Sequence, residues 1–136
     1  MSPERRRSPG QRQNPEDGRT LEDEVRALFG DRWAATGALE DVLVVAVVDA
    51  ADDDLTRLQR LVPGAGLVTV TRSRAQLETD MDAIEAELTR TGELAGFLQM
   101  VPDGFTGTIS LTVDAPVPQL QAWAAGNLPH LHIDLV

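Results

Sequence analysis

The chain has 136 residues, 42% of them apolar, which is the size of one ordinary domain with one hydrophobic core. It contains no cysteine, which excludes a disulfide framework and a thiolate metal site. The net charge of −10 is uneven: five arginines against Glu4, Glu16 and Asp17 make the first 19 residues +2, and seven arginines against nineteen carboxylates make the rest −12. A body so acidic is repelled by phosphate backbones, so nucleic acid is excluded as a partner and basic proteins or peptides are favoured. All twelve basic residues are arginine, a usage that fits a high-GC bacterial coding sequence and carries no mechanism.

Residues 1–19 are rich in Arg, Pro, Gly and Gln, a composition that predicts a disordered tail. Arg5, Arg6 and Arg7 are not followed by an apolar stretch, so a secretory signal is not expected. The apolar run Val42 to Val48 is too short to cross a bilayer. These features predict a cytoplasmic protein without membrane partners.

From Thr20 the elements follow in order. Thr20 and Asp23 precede Leu21, Val25, Leu28 and Phe29 at helical spacing, which predicts a helix ending at Gly30. Trp33 to Thr36 reads as a short strand and Gly37 to Asp41 as a turn. Val42 to Val48, apolar on both faces, reads as a central strand. Asp49 is expected to cap a helix that carries Asp52, Asp53 and Asp54 in its first turn and Leu55, Leu58, Leu61 and Val62 on one face. Leu67 to Thr71 reads as a strand with Val68 and Val70 inward.

Ser73 caps a long helix, about 74–91, with Leu77, Met81, Ile84 and Leu88 as its stripe and Gly92 as its stop. Phe97 to Val101 and Thr108 to Val113 form a hairpin around Pro102, Asp103 and Gly104, with Ile109, Leu111 and Val113 inward. Pro118 opens a short helix to about Ala125, and Leu131, Ile133 and Leu135 mark a last strand.

These elements predict an α+β fold of two tandem α-β-β-α-β units, about 20–72 and 73–136, with helices packed on antiparallel or mixed sheets. At an offset of 65 residues Val44, Ala46 and Val48 fall on Ile109, Leu111 and Val113, Asp49 falls on Asp114, Leu55 on Leu120 and Leu58 on Trp123. This alignment supports a duplicated domain.

No catalytic constellation emerges: without cysteine, and with Ser73 and Ser110 far in sequence from either histidine, no nucleophile is assembled. No cofactor is expected and the protein reads as a non-enzyme. His130, His132 and Asp134 alternate along the last strand, either as ligands for a divalent metal or as the polar complement of its core face. Gly104-Phe105-Thr106-Gly107 has the spacing of a nucleic-acid-clamping GxxG loop but reads as a hairpin turn. Trp33 and Phe105 fall near turns, where they either anchor the core or mark a protein-binding surface.

The duplicated pattern, Phe29-Gly30-Asp31-Arg32-Trp33-Ala34, the strand Leu43 to Ala51, and Ser73-Arg74-Ala75-Gln76-Leu77-Glu78 together resemble the pro-regions of secreted bacterial proteases of the alpha-lytic and streptogrisin type. The resemblance spans most of residues 20–136. It departs where Ala95-Gly96-Phe97-Leu98 replaces the family's Gly-Val-x-Gly-Trp stretch. It implies a foldase and inhibitor that binds a protein through its sheet and C-terminal end, here Leu135 and Val136. The sequence-level expectation is therefore a non-catalytic protein-binding module, a chaperone or inhibitor, with Trp33, Phe105, Leu135 and Val136 as contacts. The alternatives are a metal- or ligand-binding regulatory domain using His130, His132 and Asp134, and a homo-oligomeric structural protein.

Overall fold

A computed structural model describes residues 20–136; the expected tail, 1–19, lies outside the described residues. Thr20 Oγ1 accepts from the Asp23 amide at 3.2 Å and Asp23 Oδ2 accepts from the Thr20 amide at 3.1 Å, a reciprocal cap that opens α1 (Leu21–Phe29). A single 3-10 turn, Gly30–Arg32, leads into β1 (Trp33–Leu39), which pairs antiparallel with β2 (Val42–Val48). The chain then crosses through α2 (Asp54–Leu61) to β3 (Gly66–Val70), parallel to β2.

The second unit repeats this course. Ser73 and Gln76 cap each other reciprocally at the start of α3 (Arg74–Thr91), and Gly92, left-handed at φ 77°, ends it. A 3-10 turn, Glu93–Gly96, precedes β4 (Phe97–Asp103), antiparallel β5 (Thr108–Val113), α4 (Pro118–Asn127) and β6 (Leu131–Leu135), which is parallel to β5. The sheets have orders β1-β2-β3 and β4-β5-β6. This is the expected α+β fold of two tandem α-β-β-α-β units. The first strand is longer than expected, because Gly37 to Leu39 continues the β1 ladder and the turn shrinks to Glu40 and Asp41.

The structural equivalence of the units is not a uniform 65 residues. Trp33 and Phe97, 64 apart, each precede a bulge, and their partners Val47 and Val113 are 66 apart. The difference arises because Glu40 and Asp41 alone join β1 to β2, whereas Gly104 to Gly107 join β4 to β5. A one-residue slip along a strand exchanges its faces. Val45 and Val47 therefore face the helices in the first unit, as Leu111 and Val113 do in the second. Val44, Ala46 and Val48, aligned with Ile109, Leu111 and Val113 by sequence, face the other way.

Two buried clusters result, not the single core that length suggests. One gathers Val25, Phe29, Trp33, Val45, Val47 and Leu58; the other gathers Leu77, Ile84, Leu88, Ile109, Leu111, Val113 and Leu120. Each fully buried Leu or Ile contributes about 1.5–3 kcal/mol by leaving water. The units meet where the β4–β5 turn reaches β1: a Cβ on Gly104 would lie 2.3 Å from the Ala34 carbonyl oxygen, and Arg72 Nη1 donates to the Gly107 carbonyl at 3.3 Å. The Gly104 to Gly107 tetrapeptide is thus a hairpin turn seated on a neighbouring strand.

Other expectations are corrected at the helix starts. Asp49 does not cap α2; it holds φ 51° before the loop, and Asp53 occupies the cap position without a side-chain cap bond. Nor does Asp114 cap α4, which starts after Val117. Leu55 is exposed while Leu58 is buried, so the α2 stripe is narrower than its leucines suggest.

Candidate functional site

The first site the sequence offered does not assemble. His130 precedes β6 and turns toward α3, where its Nε2 lies 2.8 Å from Asp80 Oδ2. His132 and Asp134 sit beside Ser110 and Thr112 on the opposite side of the sheet. Among the described residues no group of three or more His, Asp or Glu is placed to hold a metal ion. The alternation was right for His132 and Asp134, but His130 lies in the turn, where period-two spacing does not apply.

Trp33 is also not a surface contact. It is buried against the first core, its Nε1 donates to Thr36 Oγ1 at 2.9 Å, and the Arg26 guanidinium stacks 4.6 Å from its ring centroid. Leu135 and Val136 are exposed, although alternation put Leu135 on the core face of the strand, and the Val136 amide donates to the Val113 carbonyl at 2.9 Å.

Phe105 takes part in a site that sequence reasoning did not find. Its ring lies over Gly37, where an added Cβ would be 3.1 Å away. That contact is on the face of the first sheet remote from α1 and α2. Strand register fixes what else lies there: the rows Leu39–Val42, Gly37–Val44–Gly66, Ala35–Ala46–Val68 and Val48–Val70. Every position is apolar. The matching face of the second sheet has the rows Asp103–Thr108, Val101–Ser110–His132 and Gln99–Thr112–Asp134, polar at all but one position.

The two faces obey different rules. A half-solvated sheet presents polar side chains outward, as the second sheet does. The first sheet leaves Leu39 68%, Val42 43% and Val68 40% exposed, and Phe105, from the β4–β5 turn, is 39% exposed beside them. Leu39, Val68 and Phe105, together with Gly37, Ala38 and Val44, line a groove of about 340 Å³. Grouped exposed apolar side chains of this kind mark interaction surfaces, whereas scattered ones do not. The sequence signal was present in Val42 to Val48, whose two apolar faces were read as burial on both sides.

Acidic groups flank the groove. Glu40 and Asp41, between Leu39 and Val42, both hold left-handed backbone, φ 50° and 69°, a turn that favours Asn-Gly. Asp103 lies beside the Phe105 end, its Oδ1 accepting from the Phe105 amide at 2.9 Å. A second concavity of about 400 Å³ runs between α1 and the start of α3, lined by Asp23, Asp31, Arg26 and Arg74 among others; its charges are balanced, and Arg74 is paired with Glu78 at 3.1 Å.

The most perturbed ionisable group is structural. Asp54 is fully buried and accepts both Arg32 guanidinium nitrogens, at 2.7 and 3.1 Å, together with the Ala51 amide at 2.6 Å. The Arg32 hydrogen bond holds its carboxyl at about 2, below its usual 3.8, against the opposing effect of burial. Joined to the α1–β1 turn and the start of α2, it is far from the groove in the fold and has no nucleophile beside it among the described residues. No protein-family model matches the chain, and no curated protein matches it. No described helix is long and apolar enough to cross a membrane.

Proposed function

We propose that the protein is a non-catalytic protein-binding module, a chaperone or inhibitor of a partner, which uses the outer face of the first sheet. The observation that carries this reading is the uniformly apolar outer face of β1, β2 and β3, set against the polar face of the second sheet. Burying such a face against a partner removes apolar area from water, worth roughly 25 cal/mol per Å² before the losses of association. The resemblance to protease pro-regions, whose work is to bind a protein, points the same way.

The test is affinity capture from a lysate of the source organism with three forms of the chain. Wild type and His132→Ala should recover the same partner in stoichiometric amount, and Val68→Asp should lose it. Recovery that Val68→Asp leaves unchanged would overturn the assignment of the face. The exposed pair Leu135 and Val136 supports a second reading, in which the C-terminal end makes the contact; removing those two residues would then abolish capture while Val68→Asp would not.

A further inference from the structure

We infer that the occupant of this groove is a short apolar segment flanked by arginine or lysine, supplied by a partner protein. The inference rests on the binding role proposed above for the face and adds the chemistry of what binds. Two properties of the groove select this occupant. The first is size. With strands about 4.8 Å apart, the seven residues each of β1 and β2 and the five of β3 present on the order of 300 Å² in projection, and the part at Ala46 is already buried. A stable pairing with a second copy of the chain buries about 800 Å² on each side. The face is too small for that, and a groove of about 340 Å³ holds a few apolar side chains from a single segment.

The second property is charge. The groove floor is uncharged, but Glu40 and Asp41 rise at one end and Asp103 stands beside Phe105 at the other side. The body around it carries seven arginines against nineteen carboxylates. Arg72, which contacts the β4–β5 turn, donates to the Gly107 carbonyl and Thr71 Oγ1. A segment with carboxylates beside its apolar anchors meets repulsion, whereas one with guanidinium or ammonium groups meets attraction that speeds encounter. The backbone at Glu40 and Asp41 points the same way: two acidic residues hold a turn that Asn-Gly would hold with less strain.

The experiment uses the full chain and three fluorescein-labelled nonapeptides, followed by fluorescence anisotropy and methyl NMR. One has a Val-Leu-Val core with arginine flanks, one the same core with glutamate flanks, and one arginine flanks with a serine core. The arginine-flanked apolar peptide should bind about tenfold tighter than either other peptide, move the methyl signals of Leu39, Val44 and Val68, and weaken as salt rises. The Leu39→Ser/Val68→Ser double variant changes two exposed side chains and should keep the wild-type circular dichroism while losing about tenfold in affinity.

Equal binding of the glutamate-flanked peptide at the same methyls overturns the charge selection and leaves the face as a binding site. Equal binding of the serine-core peptide, unaffected by the double variant, overturns both. No binding by any peptide overturns the segment assignment, as does a concentration-dependent dimer in sedimentation that the double variant abolishes, which would make a second copy the occupant.

Discussion

Phe105 and Gly37 belong to different units and meet across the groove, a Cβ on the glycine falling 3.1 Å from the ring. The clash is with the end of a partly exposed side chain, which can swing outward. Gly37→Ala should therefore cost only about 1 kcal/mol and shift the ring toward solvent. Gly104→Ala is a different case, because its Cβ would lie 2.3 Å from the Ala34 carbonyl oxygen and 2.8 Å from its carbon. The obstacle there is strand backbone and not the end of a flexible side chain. The expected loss is about 3 kcal/mol or more by urea denaturation, and a loss below that of Gly37→Ala would contradict the seating of the turn on β1.

Glu93 does for α4 what no residue of that helix does. Its Oε2 accepts from the Gln119 amide at 3.1 Å and its Oε1 from the Leu120 amide at 2.9 Å, while the cap residue Val117 has no side-chain acceptor. Carboxylate oxygens at the positive end of the helix satisfy donors the helix itself leaves free. Glu93→Ala should lower stability by about 1–2 kcal/mol, and Glu93→Gln, which keeps one acceptor, by about half as much. Thermal unfolding of the two variants separates them; equal losses would mean that the charge, and not the geometry, supplies the effect.

What the sequence revealed and what it hid follow one physical distinction. Helix ends announce themselves locally: Thr20 with Asp23, Ser73 with Gln76, and Gly92 are readable because a cap is a short-range hydrogen bond. Strand face is announced only by alternation, and Val42 to Val48 has none. With valine on both faces, offsets of 65 and 66 fit the pattern equally well, and only the strand pairing, closed by a two-residue turn in one unit and a four-residue turn in the other, decides between them. The same silence hid the groove. Asp54 was hidden for a different reason, since a run of three aspartates before a helix reads as solvated, and its partner Arg32 is 22 residues away.

The acidic turn between β1 and β2 gives a prediction of opposite sign to most substitutions. Glu40 and Asp41 occupy left-handed backbone at φ 50° and 69°, which costs a side-chain-bearing residue about 1 kcal/mol and glycine almost nothing. Glu40→Asn with Asp41→Gly should raise stability by about 1 kcal/mol in urea denaturation. The same double variant should weaken the arginine-flanked peptide. A variant that is stabilised and binds unchanged would show that the acidic tip plays no part in recognition.

Asp54 supplies the pH dependence. Its carboxyl is held at about 2 in the folded chain against an ordinary 3.8, first by the Arg32 hydrogen bond and then by the Ala51 amide, with burial opposing. A folded pKa below the unfolded one means that folding favours the ionised form. The contribution is fully present once the pH exceeds the unfolded value by about one unit, and it is lost progressively as the pH falls from about 5 toward 2. Its size is about 2 kcal/mol, from the difference between the two pKa values. Asp54→Asn keeps the shape but removes the titrating group, and it leaves Arg32 and Arg57 without their shared carboxylate. That variant should be less stable than wild type at pH 7 by about 2–3 kcal/mol. Its stability should fall less steeply between pH 5 and 2, so that the two curves converge in acid. Parallel curves across that window would show that Asp54 titrates alike in the folded and unfolded chains.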